Sequence, residues 1–407
     1  ELAKQGFKVH LVEKEKVLGG NTPKLHYLPT GEDPVAFVKE LDKEISANKN
    51  ITVYTGTTAK AIDGYVGNFK TTLASGEQID HGVVILAIGA QEYKPEGEYL
   101  YGKNKNVMTL LEFKEKLSKN EAKGNEYVFI QCVGSREDKH PNCSRVCCTG
   151  TMTAALEIKK KDPNAKVFVL YRDIRTYGFR EKFYKEASSK GVTFIRFEDK
   201  EKPKVEEKNG KLALTVKDED TGKDIFLKTD YLVLASGTRP QHDAEALAPM
   251  LKVPITKEGF FLEAHMKLRP LDFATEGVYL AGLAHGPKFV DESIAQALGA
   301  VSRATTVLSK KTLEAEGIVA EIEEKLCDGC GICVPTCEYK ALEVVKDKKD
   351  AEKKLVEVNV GLCKGCGACV GTCPSGALTQ KGYKDSQIYA MIDAALEYDK
   401  PKQEVKQ

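Results

Sequence analysis

The stretch CSRVCCTG (residues 143–150) lies at the point of the chain that decides how the fold is read. It follows VFIQCVGS (128–135), which predicts a buried strand, and continues into TMTAALEIKKK (151–161), which predicts a helix. A second apolar strand, KVFVLYR (166–172), comes next. This order is typical of a dinucleotide-binding unit, whose turn is rich in glycine so that backbone N–H groups approach a pyrophosphate. Here the turn carries cysteines instead.

Four cysteines surround this turn with the spacing C-x10-C-x3-C-C: Cys132, Cys143, Cys147 and Cys148. Thiolates do not replace the backbone donors that a pyrophosphate requires, so the spacing disfavours NAD(P) binding here. Neighbouring cysteines on irregular backbone can bind different irons of one cluster, and the helix that we predict to start near Thr149 favours an anion at its N-terminus. The sequence therefore predicts an iron–sulfur cluster. Buried unligated cysteines and a redox-active thiol pair are the alternatives.

The composition excludes several classes of function. The chain has 407 residues, enough for two or three domains, and its 61 Lys and Arg residues balance 60 Asp and Glu residues to a net charge of +1. This balance argues against a nucleic-acid partner. The sequence has no long apolar run and no signal peptide, so we expect a soluble, cytoplasmic protein. Twelve cysteines at short, regular spacings favour metal ligation in a reducing compartment over disulfides.

Near the C-terminus, LCDGCGICVPTCEYKAL (326–342) and LCKGCGACVGTCPSGAL (362–378) repeat the pattern C-x2-C-x2-C-x3-C. In ferredoxins with this spacing, the first three cysteines bind one 4Fe–4S cluster and the fourth binds the neighbouring cluster. The repeat therefore predicts two crossed ligand sets. They are Cys327, Cys330, Cys333 and Cys373 for one cluster, and Cys363, Cys366, Cys369 and Cys337 for the other.

The two copies differ after their last cysteine, where the second has the customary Pro374 and the first has Glu338. This departure removes no ligand. Zinc also binds C-x-x-C pairs and is the alternative, although the full pattern given twice favours clusters. The charged stretch between the copies (343–359) predicts an exposed hairpin or loop.

Three separated stretches predict a flavin domain, of which the first is KVHLVEKEKVLGGN (8–21). It predicts a parallel strand ending in Glu13, placed to bind the ribose of an adenine dinucleotide, followed by Gly19 and Gly20, which let the chain pass close to phosphates. The chain begins with ELAKQGF, which is typical of the end of a helix. We therefore expect the opening strand and glycine loop of this unit to be missing from the sequence.

The second stretch, GVVILAIGAQEYKP (82–95), predicts a buried strand that ends at Gly89. The third, EGVYLAGLAHGPKFVDESIAQALGAVSRA (276–304), predicts a strand, a turn at Gly282 and an alanine-rich helix whose N-terminus faces a flavin. Lys288 lies just before that helix and is the candidate catalytic residue. Its ammonium either stabilises a reduced flavin or remains in solvent.

In this order, the three stretches resemble the FAD domain of the two-dinucleotide-domain flavoproteins, such as thioredoxin reductases. The resemblance implies an α/β, thioredoxin-reductase-like fold that binds FAD, followed by a C-terminal ferredoxin-like domain with two 4Fe–4S clusters. In that family an Asp follows the glycine of the third stretch and binds the ribityl chain, whereas Leu283 follows Gly282 here. A related fold that has lost its nucleotide is the alternative.

The same reading divides the chain into five segments. We expect the first part of the FAD domain at 1–115, a middle domain with the cysteine turn at 121–240, the second part of the FAD domain at 241–315, the ferredoxin domain at 316–380, and a C-terminal helix and tail at 381–407.

FIQCVGSRE with CSRVCCTG, the turn AGLAHGPK and the paired ferredoxin motifs together resemble the A subunit of heterodisulfide reductase over nearly the whole chain. The resemblance implies FAD, several 4Fe–4S clusters including one at the four-cysteine turn, and flavin-based electron bifurcation between ferredoxin and a disulfide in methanogenesis. It also implies partners: the B and C subunits, a hydrogenase or formate dehydrogenase as electron donor, ferredoxin and a second copy of the chain. Members of this family usually carry an N-terminal domain with another cluster.

Three alternative functions stay open at this point. They are an NAD(P)H-dependent flavin reductase, a non-bifurcating subunit of a quinone-linked complex, and an electron-transfer subunit without flavin. Two stretches have no assigned role. DSQIYAMIDAALEY (385–398) predicts an amphipathic helix that docks on its own domain or on a partner, and of the two we expect docking on its own domain. RDIRTYGFREKFYKEA (172–187) groups Arg172, Arg175 and Arg180 either as a surface for an acidic partner such as ferredoxin or as a charged helix face.

Overall fold

The computed structural model describes residues 1–208, 210–314, 317–347 and 352–398. They form two compact units, one made of Glu1–Asp63 with Phe69–Leu308, the other of Gly64–Asn68 with the described residues from Ser309 onward. The boundary expected at 315–316 and the tail expected at 399–407 lie outside the described residues.

Helices and strands alternate through much of the first unit, as expected of an α/β fold. The strands are β1 Val9–Glu13, β2 Ile51–Thr55, β3 Ala59–Tyr65, β4 Asn68–Leu73, β5 Gln78–His81, β6 Val84–Leu86, β7 Ala90–Glu92, β8 Val107–Thr109, β9 Glu126–Val133, β10 Lys166–Tyr171, β11 Thr193–Arg196, β12 Lys204–Lys208, β13 Lys211–Lys217, β14 Asp224–Thr229, β15 Tyr231–Ser236, β16 Thr238–Pro240, β17 Val278–Leu280, β18 Ala320–Ile322, β19 Leu342–Lys346, β20 Lys354–Val358 and β21 Leu378–Gln380. The helices are α1 Pro34–Ala47, α2 Leu110–Ser118, α3 Cys147–Lys161, α4 Glu181–Ser189, α5 Ala244–Leu251, α6 Val290–Leu308, α7 Cys333–Thr336, α8 Ala368–Thr372 and α9 Asp385–Tyr398. Short 3-10 helices span Ala3–Gln5, Thr22–Leu25, Gly178–Arg180, Asp199–Glu201 and Gly282–Ala284.

The middle domain is built on a parallel sheet of five strands in the order β11-β10-β9-β15-β8. Its central strands are continuous apolar runs because both faces are covered. Phe129 packs towards helices α2 and α3, whereas Val128 and Ile130 pack towards the antiparallel strands β13 and β14. Strand β8 belongs to this sheet, so the middle domain begins ahead of the boundary expected between 115 and 121.

The flavin half of the first unit contains two parallel pairs, β1 with β2 and β6 with β17. These pairs share no ladder with each other among the described residues. Helix α6 packs closely on β17 because Ala300 and Ala304, which are fully buried, meet Tyr279 and Ala281 across the contact. This packing fixes the N-terminal end of α6 beside the turn that follows β17.

Two short extended segments carry the chain between the two halves of the first unit. They are β7 and β16, which pair antiparallel, with Thr238 opposite Glu92. The next residue on each segment takes part in a cation–π contact, in which the Arg239 guanidinium lies 4.7 Å from the centre of the Tyr93 ring. The connection is therefore a two-stranded ribbon of three-residue strands.

The second unit holds the paired cysteine motifs. Strand β18 pairs antiparallel with β21, and β19 pairs antiparallel with β20. The charged stretch between the motifs thus forms a hairpin in its described part, and residues 348–351 lie outside the described residues. Helix α9 does form, but its apolar residues Tyr389, Met391, Ile392 and Leu396 are exposed, so the expected docking on its own domain is not what the structure shows.

Candidate functional site

The four-cysteine loop runs from the end of β9 to the start of α3. Helix α3 begins at Cys147, ahead of the start predicted near Thr149, so two of the cysteines lie in its first turn. Cys147 and Cys148 are buried, as is Cys132, while Cys143 is partly buried. The Cys147 sulfur lies within electrostatic reach of the other three. The structure therefore brings all four predicted cysteines together.

Positive charge and backbone donors face these sulfurs. Arg136 Nη1 lies 4.0 Å from Cys132 Sγ, and the Arg145 amide donates to Cys143 Sγ across 3.3 Å. A hydrogen bond between Cys147 and Cys148 lowers the pKa of Cys148 to about 7 and raises that of Cys147, and burial raises the pKa of Cys132 to about 11. Thiolates are the form that binds iron, and hydrogen bonds to sulfur are typical of cluster sites. The donor set and its charge therefore fit an anionic iron–sulfur cluster.

The C-terminal cysteines lie in two crossed groups. Each group contains three cysteines of one repeat and the last cysteine of the other repeat. Cys333 lies within electrostatic reach of Cys373, Cys330 and Cys327, and Cys369 lies within reach of Cys337, Cys363 and Cys366. All four cysteines of the second group also line one cavity. These groups are the two sets that the spacing predicts.

Backbone amides donate to sulfurs in this unit as well. The Ala320 amide donates to Cys363 Sγ, and the Ala341 amide donates to Cys337 Sγ, each across 3.3 Å. Burial alone would raise the pKa of Cys373, but the Ser375 hydroxyl and nearby amides lower it. Each donor partly neutralises a thiolate, which is how proteins tune the potential of a bound cluster.

Glycines between the ligands allow the opposing backbone to approach closely. A Cβ atom added at Gly365 would lie 2.3 Å from the Ile318 carbonyl oxygen, and one added at Gly329 would lie 2.3 Å from the Lys354 carbonyl oxygen. The two glycines occupy the same position in the two repeats, and both have positive φ, +60° and +65°. The repeat therefore uses the same close approach on both sides.

The described residues contain no group of three or more His, Cys, Asp or Glu side chains placed to hold a single metal ion. A tetrahedral zinc ion needs its sulfur ligands about 2.3 Å from one point. In a cubane cluster, by contrast, each cysteine binds its own iron.

The first flavin stretch ends where the sequence predicts. Glu13 is the last residue of β1, and its Oε1 accepts the Glu15 amide at 2.9 Å. Gly19 and Gly20 both have positive φ, +111° and +54°. The Thr57 amide donates to the Glu13 carbonyl, and the Thr57 hydroxyl is buried without a hydrogen-bond partner within the part of the chain that the structure describes. A polar atom of this kind beside the strand end fits a ribose hydroxyl of a dinucleotide.

The other two stretches turn at glycines after paired strands. Gly89 follows β6 and Gly282 follows β17, with φ of +73° and +69°. Because β6 and β17 are parallel, both turns lie at one edge of the pair. The Gly282 amide donates to Gln296 Oε1 at 2.8 Å, so a side chain of helix α6 holds this turn.

The Lys288 side chain lies against the turn that follows β17. Its Nζ donates to the Gly282 carbonyl at 3.0 Å and to the Gly286 carbonyl at 3.1 Å. Burial lowers the pKa of Lys288 to about 8, and the nearby Arg145 charge adds to the shift. The side chain is therefore a partly desolvated cation held at residues 282–288, the turn after β17, which is called the flavin turn below.

Carboxylates lie close to the arginines of the basic stretch 172–187. Each of its three arginines lies within ion-pair distance of a carboxylate: Arg172 with Asp199 at 3.1 Å, Arg175 with Asp173 at 3.4 Å and Arg180 with Asp291 at 2.8 Å. The three arginines are therefore paired within the chain.

Several polar residues near the site were not predicted from the sequence. Arg145 forms an ion pair with Glu292 at 2.9 Å, and His285 bonds to Glu263 and to Gln296 at 2.8 and 2.9 Å. Single residues far apart in sequence carry no spacing that reveals such contacts. The local signals were the motifs themselves, because Arg145 lies inside the cysteine motif and His285 lies inside the turn AGLAHGPK.

Comparison with known families agrees with this geometry. Residues 1–301 match the pyridine nucleotide-disulphide oxidoreductase family, and residues 326–377 match the 4Fe-4S dicluster domain. The chain is 34% identical over 504 residues to the A subunit of the H(2)/formate:CoB-CoM heterodisulfide,ferredoxin reductase of Methanococcus maripaludis, covering 97% of this chain and 74% of that protein. It is 30% identical over 501 residues to the iron-sulfur A subunit of the CoB--CoM heterodisulfide reductase of Methanocaldococcus jannaschii, covering 98% and 75%.

The chain belongs to the family of heterodisulfide reductase A subunits. It is an oxidoreductase and an electron-transfer protein of the flavin and iron–sulfur type. The matches to these two domain families support FAD and 4Fe–4S clusters as its cofactors. The match to a dicluster domain also favours clusters over zinc in the second unit. Its relatives are named as subunits, which implies partners of that kind.

Solved structures agree on the fold of this member of the heterodisulfide reductase family. Thioredoxin reductase of T. acidophilum is 18% identical with a TM-score of 0.51, covering 75% of this chain and 91% of that chain. Thioredoxin reductase of Lactococcus lactis is 14% identical with a TM-score of 0.53, covering 75% and 93%. The expected thioredoxin-reductase-like fold is confirmed. Among the described helices none has both the length and the apolar character needed to cross a membrane.

The Gly365→Ala variant tests the close approach in the ferredoxin repeats of this family member. The added methyl meets a backbone carbonyl and the residue has positive φ, so we expect a loss of roughly 2 kcal/mol or more in the free energy of unfolding and less bound iron. Denaturant unfolding of the full-length holoprotein and its iron content give the measurement.

Gly371→Ala is the matched control. Gly371 lies in α8 with nothing within 4 Å of an added Cβ and no positive φ, so alanine there is expected to be neutral or slightly stabilising. Equal stability and iron content in the two variants would contradict the role assigned to Gly365.

Proposed function

We propose that the chain carries electrons between FAD and three 4Fe–4S clusters, and that it splits electron pairs between ferredoxin and a disulfide. The position of the four-cysteine loop carries this proposal. The loop occupies the turn after the central strand β9, where a dinucleotide-binding domain holds a pyrophosphate. A nicotinamide dinucleotide would lack its phosphate site there, which speaks against an NAD(P)H-dependent reductase.

The proposed ligands follow from the cysteine groups. The third cluster is assigned to the loop, where the arginine and amide contacts favour an anion. The proposed sets are Cys132, Cys143, Cys147 and Cys148 for the loop cluster, Cys327, Cys330, Cys333 and Cys373 for the cluster of the first repeat, and Cys363, Cys366, Cys369 and Cys337 for the cluster of the second repeat.

The flavin is assigned to the residues that follow β1, β6 and β17. When bound, FAD accepts electrons in pairs and passes them on singly to clusters. The chain supplies the ribose contact, the glycine turns and the cation of the flavin turn. The proposed contacts are Glu13, Gly19, Gly20, Gly89, Gly282 and Lys288.

The partners are proposed from the relatives. The relative from Methanococcus maripaludis is named for hydrogen or formate, for the CoB-CoM heterodisulfide and for ferredoxin. For this chain we infer a hydrogenase or formate dehydrogenase as donor, ferredoxin as one acceptor, and the B and C subunits as the route to a disulfide. A second copy of the chain completes the proposed complex. No nucleic acid is expected.

Cysteine variants test the ligand sets. In the full-length protein, Cys148→Ser is expected to remove the loop cluster, so that the iron content falls by about four atoms per chain. Cys373→Ser is expected to disturb the cluster held by the first repeat, although this cysteine stands in the second. Iron and sulfide analysis with EPR of the reduced protein measures both effects.

Each of these two variants controls for the other because they should change different EPR signals. Unchanged iron in Cys148→Ser would refute the loop cluster. A Cys373→Ser spectrum that loses only the signal of its own repeat would refute the crossed ligands.

Coupled assays test bifurcation. With the purified complex and hydrogen or formate as donor, ferredoxin reduction is expected only when the CoB-CoM disulfide is also present, because each electron pair supplies one electron to each acceptor. The measurement follows ferredoxin absorbance and thiol release together. Ferredoxin reduction at the same rate without the disulfide would instead support a non-bifurcating subunit. Disulfide reduction at the same rate without ferredoxin would support it as well.

Lys288→Gln tests the cation of the flavin turn. Removing its charge is expected to lower the midpoint potential of the flavin by tens of millivolts, roughly 1–2 kcal/mol, because the reduced flavin loses an adjacent cation. The difference should be largest below the Lys288 pKa of about 8 and should vanish above it as the ammonium deprotonates. Redox titration at several pH values measures this.

Lys267→Gln is the control for Lys288→Gln because it removes the same charge from an exposed loop. A potential that shifts equally in both variants would argue against a specific role of Lys288.

A further inference from the structure

Two arginines of the middle domain reach across to the first turn of α6 in the flavin half. Arg145 Nη2 lies 2.9 Å from Glu292 Oε1, and Arg180 Nη2 lies 2.8 Å from Asp291 Oδ2. The two acids are neighbours in the sequence. One helix end of the flavin half is thus bound by two separate segments of the middle domain.

Arg145 also contacts the cysteine loop and the flavin turn directly. It stands between Cys143 and Cys147, and its amide donates to Cys143 Sγ across 3.3 Å. Its Nη1 donates to the Pro287 carbonyl at 2.9 Å, next to Lys288. Its φ of +57° is uncommon for a residue other than glycine. One residue therefore spans from a proposed cluster ligand to the proposed flavin site.

Arg180 contacts the same end of α6 through a second residue, Phe289, in addition to its ion pair with Asp291. Its guanidinium lies 3.7 Å from the centre of the Phe289 ring, which is buried, and Phe289 also packs edge-on with Tyr177 at 6.3 Å between ring centres. The Tyr177 hydroxyl accepts a hydrogen bond from Arg145 Nη2 at 2.6 Å. The two arginines, Tyr177 and Phe289 thus form one connected group.

The chain passes between the two halves only through the short ribbon of β7 and β16, as far as the described residues of the first unit show. Such terminal segments of strands absorb changes in φ and ψ when domains rotate, so the ribbon alone does not set one orientation. Side-chain contacts must contribute, and one of them is made by Lys114 of α2, whose Nζ lies 4.6 Å from the centre of the Tyr27 ring of the flavin half. The arginine pairs at α6 are placed for this, because they lie on the cysteine loop itself and on the segment just before α4.

We propose that Arg145 and Arg180 act as positioning residues that hold the cysteine loop against the flavin turn, and so set the rate of electron transfer between the flavin and the loop cluster. This proposal rests on the proposed function, since it assumes the third cluster. The four residues Arg145, Arg180, Asp291 and Glu292 are called the clamp.

Loss of the clamp is expected to change the distance between the cysteine loop and the flavin turn more than the free energy of unfolding. The side chains of Arg145 and Glu292 are 40% and 30% exposed, and ion pairs of this kind contribute little to the stability of folding. A small displacement of reacting groups, however, changes rates by about tenfold to a hundredfold. Breaking the clamp should therefore slow electron transfer in a protein that still folds and keeps its iron.

The test uses the full-length holoprotein and the Arg145→Gln variant. After light-driven reduction of the flavin with a sacrificial amine as electron source, the rise of the reduced-cluster EPR signal gives the transfer rate. We expect a fall of at least about tenfold with unchanged iron content. High salt should slow the wild-type protein towards the variant because salt screens exposed pairs. Faster hydrogen exchange at residues 289–294 should accompany the loss, with or without flavin.

Two further sets of variants control the test. Arg196→Gln removes a similar exposed pair, with Glu219 at 3.1 Å and side chains 41% and 32% exposed, away from the clamp, and should leave the rate unchanged. Arg180→Asp should slow transfer, and adding Asp291→Arg should restore only part of it, because the contact with Phe289 is not restored.

The outcomes separate the clamp from the proposed function. An unchanged rate in Arg145→Gln with all iron retained overturns the clamp and leaves the three clusters intact. Iron lost from Arg145→Gln also overturns it, because the residue then supports the ligand loop rather than its position. A wild-type protein without a third cluster refutes the proposed function itself.

Discussion

The loop between β9 and α3 cannot both bind a pyrophosphate through its backbone and present four cysteine side chains at the same place. The function proposed for the molecule depends on this constraint. Phosphate binding needs N–H groups without side chains in the way, whereas cluster binding needs side chains that converge. After β9 the chain presents cysteine side chains, of which Cys147 and Cys148 are buried in the first turn of α3. The surrounding sheet is otherwise that of a dinucleotide-binding domain, with a central parallel strand and helices packed on it.

The forces around the two proposed redox sites differ in kind. Large apolar clusters hold the middle sheet, and buried alanines hold α6 on β17. The contacts between the cysteine loop and the flavin turn are polar and partly exposed, and each such pair contributes about 0–1 kcal/mol. Stability and alignment are thus assigned to different residues. A change in alignment need not be visible as a change in the free energy of unfolding.

The sequence predicted what depends on spacing and missed what depends on distant pairing. The cysteine repeats and the strand that ends at Glu13 were recognisable because ligand geometry and strand period leave local patterns. The Arg145–Glu292 pair joins residues 147 positions apart, and no local pattern records it. Arg180 appeared as part of a basic surface because its partner Asp291 lies in another half of the unit. The exposure of Met391 likewise depends on what surrounds α9, which periodicity does not reveal.

The crossed arrangement of the C-terminal cysteines has a consequence for assembly. Because each group borrows one sulfur from the other repeat, neither repeat alone holds a complete donor set. A cluster bound by one group would order the loop that provides a ligand to the other group, so binding of the two clusters would be cooperative in the sense of coupled binding and folding. By the same linkage, oxidative loss of one cluster would leave the loop that provides a ligand to the other cluster less ordered. Loss of one cluster would therefore favour loss of the second.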